Sequence, residues 1–503
     1  MQKYLLGIDI GTSSCKVALF NTNGEVIRQG SGNYKVYYPH KGWAEQNPEE
    51  WWESVCNTTK TLLEHAQINP KDISGIGIDG QSWSAIPIDY NGKVLDNTPI
   101  WMDTRAKDIC DEIKANIDEE ELFAISGNPL EPSYSLPKIL WYKKHKPDMY
   151  SKIYKILQSN SYIAFKLTGK ITQDKSQGYG YQCFNMHTGT WDDNLCEKVG
   201  IDRNMLPDIY ECHQVIGTVS MQASRETGLH VGIPVVAGGL DAACGTLGVG
   251  VINNGQTQEQ GGQAGGMSIC MDQYHADKRL ILSYHVVPDK WLLQGGTVGG
   301  GGTVKWFEEQ FGEAERIAAK LKGTHSFEEM STLAGSITHG SEGLIFLPYM
   351  QGERSPLWDT KAKGVYFGLD YSKTRAHMIR STFEGVAYSL RHNLEIAEKI
   401  GAKTNVLHAM GGAANSKVWT QIKADVTGKH IDTYASDTAT TLGAAMLAGV
   451  GVGIYNDFEE AVNKTVHVRY SYEPNMKKHE DYQKYYDIYL ELYDKLKDTM
   501  KKL

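Results

Sequence analysis

Nowhere in the 503 residues is there an unbroken apolar run of about 18, the length a helix needs to cross a bilayer, so no membrane span is expected. A basic stretch is equally missing: the formal charge is −9, and nucleic acid is not an expected partner. The eight cysteines (15, 56, 110, 183, 196, 212, 244 and 270) show neither CxxC nor CxxH spacing. That sets aside zinc and a disulfide framework and points to reduced thiols in a cytoplasm. An apolar strand pattern starts within the first few residues, so no signal peptide is expected.

What is present suits a soluble globular protein of two or three domains, with 41% hydrophobic and 22% charged residues. The 52 glycines and 28 tyrosines exceed average usage, and the glycines gather at the ends of apolar segments, where they read as turns and ligand loops. The first such place is Gly7-Ile8-Asp9-Ile10-Gly11-Thr12-Ser13-Ser14. Tyr4-Leu5-Leu6 lead in and Cys15 to Phe20 read as the return strand of a hairpin. A turn of glycine and hydroxyls lets backbone N–H groups close around phosphate oxygens, and an aspartate at the strand end can hold Mg²⁺ through water. The same residues also make an ordinary β-turn.

Two halves emerge, 1–245 and 246–503. The first continues with a strand at Val26–Gly30, a helix from Pro48 to about Ala66, and a buried strand Ile73–Asp79 stopping at Gly80-Gln81-Ser82-Trp83. Helical stretches are expected from about Arg105 to Ile117 and from Leu136 to Lys144, and the half closes at Ile233 to Asp241. The second half repeats strand–glycine–helix units at Gly261–Gly266, Gly295–Gly302 and Val406–Asn415. Its last 30 or so residues read as an amphipathic helix packed by tyrosines. The pattern predicts two related α/β domains around a cleft.

Ordered motifs along nearly the whole chain resemble the FGGY carbohydrate kinases, most closely their xylulokinase branch. They include Asp9-Ile10-Gly11-Thr12, Trp43 to Trp52, Trp101-Met102-Asp103-Thr104-Arg105, Pro137 to Trp141 and Ala237 to Gly245. Leu347 to Pro356, Gly364 to Leu369, Glu384 to Tyr388 and Gly411-Gly412 complete the series. The resemblance implies two actin/hexokinase-like (ribonuclease H-like) domains, ATP and Mg²⁺ as cofactors, and transfer of phosphate to a small sugar.

Under that resemblance Asp241 is the base and a substrate contact, Asp9 organises Mg²⁺, and Thr12 and Ser13 face the phosphates. The residues agree for Asp241: a buried strand and Gly238-Gly239 precede it, although a helix cap at Ala242 is the other reading. Gly301 falls where relatives approach the nucleotide phosphates, and Gly411, Gly412 and Asn415 resemble the adenosine turn; helix packing is the alternative for these glycines. Relatives carry a Gly-Thr-Ser-Gly-like turn where this chain has Gly262-Gln263-Ala264-Gly265. The glycines still allow an N–H cradle at Gly262 and Gln263, but the hydroxyl donors are gone; a simple tight hairpin is the other reading.

For the sugar, xylulokinases carry Gly-Gln-Met-His-Gly where this chain reads Gly80-Gln81-Ser82-Trp83-Ser84. Gln81 is kept, Trp83 can stack on the C–H face of a sugar and Ser82 can donate to a hydroxyl. The Arg-Glu pair of glycerol kinases is absent, and Ser133-Tyr134 replaces the aromatic spacing of polyol relatives. Asp103 and Arg105 follow the family's Trp-x-Asp-x-Arg pattern; Arg105 reaches substrate or fixes Asp103 in a buried pair. Glu353 and Arg354 read as a structural segment near the cleft. The expected reaction is phosphorylation of a terminal hydroxyl of a ketopentose such as D-xylulose. The rivals are a gluconate, tetrose or polyol kinase, and a catalytically silent sugar sensor. The oligomeric state stays open, a homodimer among the options.

Overall fold

Two mixed sheets carry the chain, each grown from an antiparallel hairpin set beside a parallel strand. The computed structural model describes residues 3–434 and 438–503. The first sheet contains β1 (Tyr4–Ile10), β2 (Ser14–Asn21), β3 (Val26–Asn33), β4 (Ile73–Gly80), β5 (Val215–Thr218), β6 (Pro234–Val236) and β7 (Gly239–Leu240). Its order is β5-β6-β4-β1-β2-β3, with β7 also pairing β4. β1 runs antiparallel to β2 and parallel to β4. Helix α1 (Pro48–Ala66) covers β2 and β3 and buries Trp51 completely. It starts where expected because Pro48 is preset for a first helical position and the Asn47 side chain accepts the Glu49 N–H.

After β7 comes α2 (Asp241–Gly248), the link to the second sheet. That sheet contains β8 (Gln256–Gly261), β9 (Gly265–Met271), β10 (Ile281–Tyr284), β11 (Trp291–Thr297), β12 (Val406–Met410), β13 (His430–Tyr434) and β14 (Val468–Tyr472). The order is β10-β11-β9-β8-β12-β13-β14, with β8 antiparallel to β9 and parallel to β12. The hairpin-plus-parallel-strand arrangement of β1, β2 and β4 thus recurs in β8, β9 and β12, which gives the suspected duplication a topological basis.

Helix α3 (Gly301–Phe311) follows β11, and α4 (Ala439–Gly451) follows β13. Although α4 lies late in the chain, it packs on the first sheet. A Cβ at Gly7 would sit 2.0 Å from the Thr441 carbonyl oxygen, and one at Gly77 would sit 1.7 Å from that of Ala444. Only glycine permits this approach of strand to helix backbone. The C-terminal helix Met476–Met500 buries Tyr482, Tyr486 and Tyr489 as expected from its tyrosine stripe, and Tyr482 donates to Glu384 at 2.7 Å.

One helix is trimmed relative to expectation and another is extended by a residue at each end. The stretch expected from Arg105 is helical only over Lys107–Asn116, because the Arg105 N–H and side chain turn back onto Asp103. The stretch expected from Leu136 runs over Ser135–His145.

Candidate active site

The turn from β1 to β2 closes with the Gly11 N–H donating to the Ser14 carbonyl at 3.1 Å. Thr12 is half-buried and Ser13 exposed. The Thr12 hydroxyl accepts from Trp101 Nε1 at 2.9 Å, which leaves its own proton free to donate. At the end of β1, buried Asp9 takes a 3.3 Å ion pair from Lys16 and a 3.4 Å hydrogen bond from Thr440 of α4.

Register supplies a carboxylate that the linear motif does not advertise. Asp9 lies opposite Asp79 in the parallel β1–β4 ladder, so both side chains share one sheet face. Asp79 is fully buried, and neither carboxylate oxygen has a partner among the described residues. Burial, then the charges of Asp9 and Asp241, hold its carboxyl well above the usual range.

Asp241 is the first residue of α2, half-buried at the helix head. Its Oδ1 accepts the adjacent Ala242 N–H at 2.6 Å. The cap position belongs to Leu240, with no side-chain cap bond, so the helix-cap reading of Asp241 fails. Desolvation, then the Asp9 charge, pushes the Asp241 carboxyl up to about 7. A carboxylate poised there suits a proton acceptor near neutral pH.

On the sugar side, Gln81 is buried and donates through Nε2 to Gln46 Oε1 at 2.8 Å, while its own Oε1 is left unpartnered. Trp83 has the unusual φ of 59° and packs edge-on against Tyr134 (4.5 Å between centroids) and Tyr179 (5.9 Å). Lys138 holds this turn by donating to the Trp83 carbonyl at 2.9 Å and the Ile100 carbonyl at 2.8 Å, and burial pushes it down to about 7. Four buried polar tips, Trp83 Nε1, Tyr134 Oη, Ser84 Oγ and Gln81 Oε1, have no partner among the described residues. Orphaned groups of that kind at an aromatic nest want a polyhydroxylated ligand or water. Ser82 sits half-buried in the same turn. The role of Tyr179 escaped the sequence reading; it needs the packing to be seen.

Asp103 and Arg105 require a correction. Arg105 is enclosed, its Nη2 bonding Asp103 and Glu45 at 2.8 Å each, with its guanidinium 3.8 Å over the Trp43 ring. Asp103 also accepts the Ala44 N–H at 2.7 Å. Both side chains are committed to a buried ion pair, and neither is placed to meet substrate. Glu353 is likewise structural, accepting the Val298 N–H at 2.7 Å and its neighbour Arg354's N–H at 2.8 Å.

The second hairpin turn meets α3 through its carbonyls. The Gly262 carbonyl accepts the Gly301 N–H at 2.7 Å and the Gln263 carbonyl accepts the Gly302 N–H at 2.9 Å. The first N–H groups of α3 are therefore bound to the hairpin, and the carbonyls of Gly262 and Gln263 point at the helix. The carbonyl side of the turn is thus a wall, while the N–H groups of Gly262 and Gln263 donate to no acceptor among the described residues. The wall borders a cavity of about 740 Å³ that gathers Gly262, Gln263, Gly301, Gly412 and Asn415, together with Phe327 and Ser416. Gly411 stands behind it with φ of 88°, where a Cβ would meet the Gly261 carbonyl at 2.7 Å, so its glycine is a packing requirement. Thr12 and Ser13 do not line this cavity. A groove of about 860 Å³ along β3 and α1 contains none of the expected site residues.

Among the described residues no three His, Cys, Asp or Glu side chains are placed to hold a metal ion directly. Asp9, with the partnerless Asp79 beside it, nevertheless fits a hydrated Mg²⁺, which favours carboxylate oxygens and keeps several waters.

Two duplicated α/β halves, an acidic floor at the end of β1 and a glycine-walled cavity in the second half define a sugar kinase of the actin/hexokinase-like fold. Residues 4–248 match the N-terminal domain, and residues 273–452 the C-terminal domain, of the FGGY family of carbohydrate kinases. The chain belongs to that family. It is 31% identical over 501 residues to a xylulose kinase of Staphylococcus epidermidis, covering 99% of this chain and 98% of the relative. A gluconokinase of Bacillus subtilis is 30% identical over 494 residues, covering 98% and 96%. The crystal structure of a xylulose kinase from Rhodospirillum rubrum superposes with a TM-score of 0.91 at 28% identity, covering 99% of this chain and all of the other. No helix of the described residues is long and apolar enough to cross a membrane.

Proposed function

We propose that this kinase transfers the γ-phosphoryl group of ATP to a terminal hydroxyl of an open-chain ketopentose, D-xylulose foremost. Residues 1–245 serve the sugar and the first phosphate turn, and residues 246–503 serve the nucleotide. The observation that carries the chemistry is Asp241, half-buried at the head of α2 with Oδ2 unengaged among the described residues. As the sugar oxygen bonds to the γ-phosphorus and the bond to the ADP oxygen breaks, Asp241 takes the hydroxyl proton. Such a base contributes roughly 10²–10⁴-fold. Asp9 would hold Mg²⁺ through water, and the ion would supply charge neutralisation at the phosphates. Thr12 and Ser13 would donate to phosphate oxygens. Gly262, Gln263, Gly301 and Gly412 would form the wall against which the nucleotide lies, with Gly411 supporting it and Asn415 at its rim.

The sugar would bind at Gln81, Ser82 and Trp83, where the unpartnered polar tips surround an aromatic face. A gluconate reading has a similar relative behind it, but no Lys or Arg lies in the Gly80 to Ser84 loop to meet the carboxylate. Lys138 is engaged by two backbone carbonyls and Arg105 by Asp103 and Glu45. All eight cysteines are free and buried, which suits a reducing cytoplasm.

The test is an ADP-release assay with Mg²⁺-ATP over ketopentoses, aldonates, tetroses and polyols, run beside Asp241→Ala. Strong turnover on a ketopentose that vanishes in the variant supports the reading. Turnover on an aldonate overturns the substrate assignment. Silence across the panel with tight sugar binding by calorimetry favours a sensor.

A further inference from the structure

Leu240, the residue before the proposed base, does not rely on its own helix for support. Its N–H donates to Ser176 Oγ at 2.9 Å. Ser176 is fully buried, and its hydroxyl proton is committed to Asp174 Oδ1 at 2.6 Å. The Ser176 oxygen is therefore held with a lone pair facing Leu240. Asp174 is itself locked, accepting the Gln177 N–H at 2.9 Å on Oδ1 and the Asn160 amide at 2.9 Å on Oδ2.

The same short segment reaches the sugar side. Gln177 Nε2 donates to the carbonyl of Gly80, which precedes Gln81, at 3.2 Å, and the Tyr179 ring packs on Trp83. A Cβ at Gly180 would lie 2.6 Å from Trp83 Cδ1, so the contact is close along its length. The 3₁₀ run Lys175–Tyr181 thus touches the residue in front of Asp241 at one end and the sugar turn at the other.

We infer that Ser176, its hydroxyl fixed by Asp174, is a positioning residue for Asp241 that sets the distance from base to sugar hydroxyl. It touches no substrate atom. The inference rests on the reading of Asp241 as base. A reacting group displaced by about 1 Å loses on the order of 10²-fold in rate. Ser176→Ala removes the acceptor for the Leu240 N–H without altering a charge.

The experiment measures kcat, KM for the ketopentose, Kd for Mg²⁺-ADP and Tm for Ser176→Ala, Asp241→Asn and the double variant. The expected result for Ser176→Ala is a kcat loss on the order of 10²-fold, with KM and Kd within about threefold of the parent. In the Asp241→Asn background the same change should alter the residual turnover by less than about threefold, because the group it positions is gone. A kcat loss under about threefold, an equal loss in both backgrounds, or KM and Kd shifting in step with kcat overturns the inference. Should Ser176→Ala not fold, Ser176→Cys carries the same cycle, with a smaller kcat loss expected from its weak sulfur acceptor. Near-parental turnover in Asp241→Asn alone removes the base reading. A slow Asp241→Asn beside a fast Ser176→Ala removes only this inference.

Discussion

The β1–β2 turn and the β8–β9 turn occupy equivalent places in their sheets, each beside a parallel strand. The first is rich in side-chain chemistry: hydroxyls at Thr12 and Ser13, and Asp9 facing Asp79 across the ladder. The second, Gly262 to Gly265, has no hydroxyl, and its carbonyls at Gly262 and Gln263 are bound by α3. One turn places charge, and the other places surface. The two sheets share a strand arrangement while their turns differ in side chains, so equivalence of topology here does not mean equivalence of ligand atoms.

The largest expected effect tests the charged half. Asp241→Asn should lower kcat by roughly 10²–10⁴-fold with Mg²⁺-ADP affinity little changed, read by ADP release and calorimetry. The same variant should melt higher than the parent near pH 7. The folded carboxyl sits at about 7 against an ordinary 3.8, so the native state binds more protons than the unfolded chain between those values. Stability is therefore lost as pH rises through that window, and the amide escapes the loss. For the parent, kcat/KM should fall about tenfold per pH unit below 7, as Asp241 becomes protonated in the free enzyme.

Smaller effects should come from the surface half. A Cβ at Gly300 would meet the Ala264 carbonyl carbon at 2.4 Å, so Gly300→Ala should push the hairpin off α3. The expected signs are a lower Tm, reflecting about 1–3 kcal/mol of overpacking, and a raised KM for ATP with sugar KM unmoved. At Gly412 a Cβ meets nothing within 4 Å. Gly412→Ala should keep the parental Tm while raising the ATP KM about tenfold, or ~1.4 kcal/mol, if the nucleotide lies against that backbone. An unchanged KM would move the nucleotide elsewhere. Least of all, Ala264→Ser should change ATP KM by under about threefold, because the turn acts as a wall. A tenfold gain in affinity would instead mark the missing hydroxyl as a missing ligand.

Local signals made much of this legible. Asn47-Pro48 announced the start of α1, and the glycines before Asp241 announced a strand end at a helix head. The rest depended on long-range register and packing. Asp79 looks like any strand-end residue until β4 pairs with β1 and sets it opposite Asp9. Arg105 lies in a family motif that reads equally as substrate contact or ion pair, and only Glu45 and Trp43, far away in sequence, decide for the pair. The direction of the Gly262 and Gln263 carbonyls follows from where α3 begins, which no pattern of glycines encodes.

The approach of α4 to Gly7 and Gly77 also bears on how the chain comes to be folded. Thr440 bonds Asp9 across 431 residues of sequence. At about 5–20 residues per second of synthesis, roughly 20–90 s separate the first strand from the helix that covers it. Throughout that interval the glycine face of β1 and β4 is open to other chains. The first sheet is begun early and covered only once α4 has been made, and an N-terminal half expressed alone should aggregate until a peptide spanning residues 439–451 is supplied.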